Sequence, residues 1–109
     1  MATTYKVLGQ SAPSATTATT LYTCPSSTQT VVSTLVVCNQ AGTGGTYRIA
    51  IRPNGATLAQ EHYIAYDAPI DANTTTAYTI GATIDAADVI TVYASSGNFS
   101  FSAFGSEIA

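Results

Sequence analysis

Charge is what this chain has least of. Of its 109 residues 8% are charged, three Lys and Arg against six Asp and Glu, where a typical globular domain carries about 25%. Three basic side chains cannot form a stripe that releases counterions from a phosphate backbone, so no nucleic-acid partner is expected. Tryptophan is absent and His62 is the one histidine, which removes a multi-histidine metal site, or a triad with an interchangeable base, from a single chain. No serine lies in a G-x-S-x-G elbow, and neither Cys24 nor Cys38 has an activating neighbourhood in the sequence, so the chain is not expected to be an enzyme. The alternating D-x-D-x-D-G loop that wraps calcium is missing. Asp67, Asp71, Asn73, Asp85 and Asp88 therefore read as turn caps, and neither metal nor cofactor is expected. The most apolar run, "VVSTLVVC", is too short and too interrupted by Ser and Thr to span a bilayer. The start "MATTYKVLGQ" lacks a basic segment followed by an apolar one. No membrane partner is expected, and synthesis is expected in the cytoplasm, where Cys24 and Cys38 would be reduced and buried as small hydrophobes.

What is present is apolar and β-branched. Hydrophobic residues make up 46% of the chain, too many for disorder, and the length suits one domain. "YKVL", from Tyr5, reads as a short strand ended by Gly9, followed by the Ser/Thr-rich "QSAPSATTATT" without hydrophobic periodicity. Residues 1–20 are thus expected to be a strand plus a flexible arm, and 21–109 the folded domain. "TLYTCP" stops at Pro25, which cannot donate to a ladder. "TVVSTLVVCN" is apolar on both faces, as in a central covered strand. "TYRIAIRP" alternates Tyr47, Ile49 and Ile51 with Arg48, Ala50 and Arg52. "EHYIAY", "TTTAYTIGATI", "VITVYA" and "FSFSA" supply further strands, parted by Asp-, Gly- and Ser-rich turns. "NGATLAQEHY" has room for a single helical turn. Some eight short strands at roughly ten-residue intervals predict an all-β fold, one antiparallel β-sandwich or jelly-roll-like domain. Its predicted core is Val36, Tyr47, Ile49, Ile51, Ile80, Val89, Phe99 and Phe101.

Five residues stand out as interaction candidates. Arg48 and Arg52 lie two pleats apart on one strand face and could grip a partner's carboxylate, although pairing with Glu61 across a hairpin explains them as well. Tyr63 and Tyr66 are tyrosines without core parity, expected on opposite sides of their strand, and a glycan platform would need them. Phe104 falls on the opposite parity from Phe99 and Phe101, so it is either re-aimed by a bulge or exposed to a partner.

Taken together, "YKVLGQ", "LYTCP", "TVVSTLVVCN", "YRIAIRP" and "IDAADVITVYASSGNFSFSAFGSEI" resemble a family of small virion structural proteins of tailed bacteriophages, notably those of marine cyanobacteria. The likeness runs through nearly the whole chain in strand and turn patterns and transfers no functional residue. It implies a structural, non-catalytic component of the virion, first of all a capsid decoration or cement protein that contacts the major capsid protein and other virion proteins. A neck, tail or fibre component, with a glycan or receptor as ligand, is the alternative. A homo-oligomer, a trimer by the habit of decoration proteins, is implied in the same way. The low surface charge points independently to self-association, because unblunted strand edges invite pairing.

Overall fold

The alternating segments form nine strands in the computed structural model, which describes residues 2–109. They are β1 (Thr3–Ser11), β2 (Thr19–Thr23), β3 (Gln29–Asn39), β4 (Gly45–Arg52), β5 (Tyr63–Ile70), β6 (Thr75–Tyr78), β7 (Ala82–Ile84), β8 (Val89–Ala94) and β9 (Phe99–Ile108). The helical turn allowed for in "NGATLAQEHY" appears as two 3-10 turns, Pro53–Gly55 and Gln60–His62. No helix among the described residues is long and apolar enough to cross a membrane.

Two antiparallel sheets pack together. One runs β1-β9-β3-β6 with β7 also on β3, the other β2-β8-β4-β5. The pairings nest: β4 with β5, β3 with β6 and β7, β2 with β8, β1 with β9. That is one long antiparallel hairpin rolled up, and the further pairings β3 with β9 and β4 with β8 close each sheet. The jelly roll is the architecture with this order. Nine strands stand where eight were expected because β6 and β7, partners of the same β3, are parted at 79–81, where Gly81 takes a positive φ of 58°.

The inward faces meet in one core that holds Tyr47, Ile49, Phe99 and Phe101 as expected, together with Val32, Leu35, Val37, Ile90 and Val92. Of the other four expected members, two lie outside the core and two at its margin. Val36 lies on the outward side of β3, half-buried, because the inward positions are Leu35 and Val37. Ile80 falls in the gap between β6 and β7 and is 41% exposed. Ile51 is only partly buried against the core. Val89 is buried but outside the core cluster: it faces outward opposite Arg52, near the Pro53–Gly55 turn.

The N-terminal segment is built into both sheets. β1 runs on to Ser11 and β2 begins at Thr19, so the link between them is 12–18, not the whole of Gln10 to Thr20. Pro13 in that link is buried, and the Thr16 amide donates to the Ala94 carbonyl at 2.8 Å. β1 crosses β2 so closely that a Cβ on Gly9 would stand 2.2 Å from the Leu21 oxygen. Only glycine fits there.

Candidate functional site

Seven of the nine acidic and basic side chains form two ion pairs or brace turns. Lys6 bridges Glu107 at 3.2 Å and Arg48 bridges Asp67 at 2.7 Å, while Asp88 accepts the amides of Asn54 and Asp85, each at 2.8 Å. The capping role expected of Asp85 and Asp88 is what the hydrogen bonds show: Asp85 in turn accepts from Ala86 N. His62 is likewise local, its Nδ1 accepting the Ala59 amide at 3.0 Å. Among the described residues no group of three or more His, Cys, Asp or Glu side chains could hold a metal ion. Cys24 and Cys38 are both unpaired. Cys24 is buried against Thr28 and Thr30, but Cys38, expected to be buried too, is half-buried on the outward side of β3.

A bulge in β5 brings three of the five interaction candidates together. Tyr47 pairs with Ala68 and Ile49 with Ala65, so the single Arg48 stands opposite two residues, Tyr66 and Asp67. The extra residue is accommodated by Asp67 at φ 49°, a conformation that the short Asp side chain tolerates better than most. Ile64 is a second extra residue, between the Ile49–Ala65 and Ala50–Tyr63 pairs. The two irregularities put Tyr63 and Tyr66 on one face, not on opposite sides as strict alternation predicts. Their rings meet edge to face, centroids 4.9 Å apart and planes at 82°. The Arg48 guanidinium lies 4.3 Å from the centroids of both Tyr66 and Tyr93, and its Nε and Nη2 donate to the Asp67 carboxylate at 2.7 and 3.3 Å. This forked bond holds the Arg48 pKa above its ordinary value. Pairing of an arginine with Glu61, the alternative expected from sequence, is absent: Arg48 takes Asp67, and Arg52 turns to the loop.

Arg52 is a staple. Its Nε donates to Thr91 Oγ1 at 3.0 Å and its Nη1 to the carbonyls of Gly55 and Ala56 at 3.2 and 2.8 Å, drawing the 53–62 loop over the outward side of β4 and β8. Leu58 from this loop, with Ala59, Gln60, Tyr63 and Tyr66, lines a cleft of about 650 Å³. An adjoining cleft shares Leu58 and Tyr63 and runs over Arg48, Ala50 and Tyr93 to Thr16 and Ala18 of the 12–18 link. Glu107, outside this region, accepts from Tyr22 Oη at 2.5 Å and from Lys6. The tyrosine bond, opposed by desolvation and aided by Lys6, leaves its pKa below the usual carboxylate range. Burial first, and the Glu107 bond second, raise the Tyr22 phenol.

Phe104 is on the other side of the molecule. It stands between Val7 of β1 and Thr34 of β3, half-buried and outward. A bulge does lie beside it, at Val32/Thr34 in the pairing with β3, but it leaves Phe104 on the outer face. By alternation and register the same face carries Tyr5, Val31, Val36 and Cys38, with Ser, Thr, Gln and Ala around them, and none of its strand residues is charged. Lys6 and Glu107 take the inward parity at the end of the sandwich. Tyr5 is 83% and Val7 49% exposed. No family model matches this chain, and no curated protein matches it.

Proposed function

We propose that the chain is a structural component of a tailed-phage virion, a capsid decoration or cement protein that binds the outside of the assembled head and acts without chemistry. The observation that carries this reading is the uncharged outer face of the β1-β9-β3-β6 sheet, on which Tyr5 and Val7 of the edge strand β1 and Phe104 beside Val7 on β9 present apolar surface. Charge-poor, partly apolar surface of this kind is what the buried centre of a protein interface has, and it is a poor surface to leave in water. The resemblance of the strand and turn segments to small virion structural proteins supports the same role. Jelly rolls include viral capsid and lectin domains, an analogy of architecture.

The partners are the major capsid protein and further copies of the chain. A closed oligomer, a trimer in this reading, engages several lattice positions at once, so each contact can be weak while the array stays bound. Antibody labelling of purified virions, viewed by electron microscopy, tests the proposal. Label spread over the head is the expected result. Label confined to the neck or tail makes the chain a component of that structure instead, and virions without the chain overturn the reading.

A further inference from the structure

We propose that the cleft on the opposite sheet, between the 53–62 loop and β5, binds a neutral pyranose glycan on the Tyr63 and Tyr66 rings. This site is independent of the assembly face: it lies on the outer side of the other sheet. Two tyrosine rings nearly perpendicular to each other, one of them 59% exposed, make a corner of aromatic walls. Stacking of a sugar's C–H face on an aromatic ring needs such a platform, because the ring supplies apolar area while its polar tip reaches the sugar hydroxyls. The cleft's volume of about 650 Å³ lies within the roughly 300–1,000 Å³ typical of small-molecule sites.

Charge selects the ligand class. No charged side chain lines the cleft itself, and the arginine stacked on its Tyr66 wall, Arg48 of the adjoining cleft, is spent on the Asp67 carboxylate and enclosed by Tyr66 and Tyr93. A carboxylate, sulfate or phosphate ligand would have to displace Asp67, and a cationic ligand would have to displace Arg48. A neutral polyhydroxylated ring displaces neither. It can exchange hydrogen bonds with the Gln60 amide that lines the cleft. The rings are also set in place before any ligand arrives, Tyr66 by Arg48 and by the bulge at Asp67, so little ordering is lost on binding.

The test is a ¹H–¹⁵N NMR titration of the full chain with maltose, cellobiose, lactose, mannobiose and diacetylchitobiose, and with 3′-sialyllactose as the anionic probe. At least one neutral disaccharide is expected to give saturable shifts confined to residues 58–67, with a Kd in the millimolar range, on the order of 1–10 mM. Tyr66→Ala should weaken that binding about tenfold or more, as loss of one stacking platform implies, while Tyr66→Phe retains most of it. Ala59→Glu, which narrows the cleft from the loop side, should also weaken it, and Phe104→Ser on the far sheet should leave it unchanged. The proposal is overturned if no neutral disaccharide produces saturable shifts, if only 3′-sialyllactose does, or if binding survives both Tyr66→Ala and Ala59→Glu in chains whose core resonances match the parent.

Discussion

Among the described residues no segment covers the outward side of β3, which carries Val31, Thr34, Val36 and Cys38, whereas the outward side of β4 carries Arg48, Ala50 and Arg52 beneath two covering segments. The alternation is the same and the outcome is opposite. Ala50 and Thr91 are buried although they face away from the core, because Arg52 pulls the loop across them and Thr16 ties the link to the end of β8. Val36, a larger apolar residue, stays half-exposed. Burial here follows which loop a staple can reach, not hydrophobicity alone. An uncovered apolar face is one that a partner can still cover, while the covered face retains only the space at its margin, where the tyrosine corner lies.

The largest expected effect is the one both faces share. Phe101 is 1% exposed and packs edge to face on Tyr47 across the two sheets, so Phe101→Ala should cost about 3–5 kcal/mol in urea unfolding. A loss under about 1 kcal/mol would mean that the two faces do not rest on one core. Gly105→Ala separates them further. A Cβ there would stand 2.0 Å from the Val31 carbonyl oxygen, backbone against backbone, so we expect a loss of about 1–3 kcal/mol, with amide shifts concentrated in β1, β3 and β9. Gly42→Ala, where nothing lies within 4 Å, is the matched control and should stay within about 0.5 kcal/mol.

Smaller effects isolate the cover. Asp88→Ala removes the acceptor of Asn54 N and Asp85 N and should cost about 1 kcal/mol. Hydrogen exchange should then quicken around Val89 and the 53–56 turn and stay unchanged in β3 and β9. Acid should act at the junction of the sheets, where Tyr22 of β2 donates to Glu107 of β9. The folded-state pKa of Glu107 is lowered, so its contribution is complete above the ordinary glutamate value of about 4.3 and is lost as pH falls through the folded-state value. Glu107→Gln should flatten the pH dependence of the unfolding midpoint in that acid range. Least of all should Phe104→Lys change stability, by no more than about 0.5 kcal/mol, yet sedimentation should show it less associated than the parent. Unchanged association would take the uncharged face out of the assembly reading.

Period-two alternation and turn chemistry carried most of the fold. "TYRIAIRP" and "FSFSA" place Tyr47, Ile49, Phe99 and Phe101 inward wherever the strands end up, because successive side chains in a strand must point to opposite faces. The Asp-rich turns were legible too, since an aspartate caps the amides nearest to it. Pairing was not legible, and where pairing slips by a residue, alternation misleads. Tyr63 and Tyr66 share a face because Arg48 on another strand is opposed by two residues; within "EHYIAYDAP" only an aspartate able to hold a positive φ hints at it. Val89 is buried under a turn that an arginine on β4 holds down. Local sequence determined which way each strand faces and where the chain turns, because those depend on neighbouring residues. Register, cover and the joining of Arg48 to Tyr66 and Tyr93 were decided by the tertiary structure, because each depends on groups far apart in the chain that meet only when the sheets close.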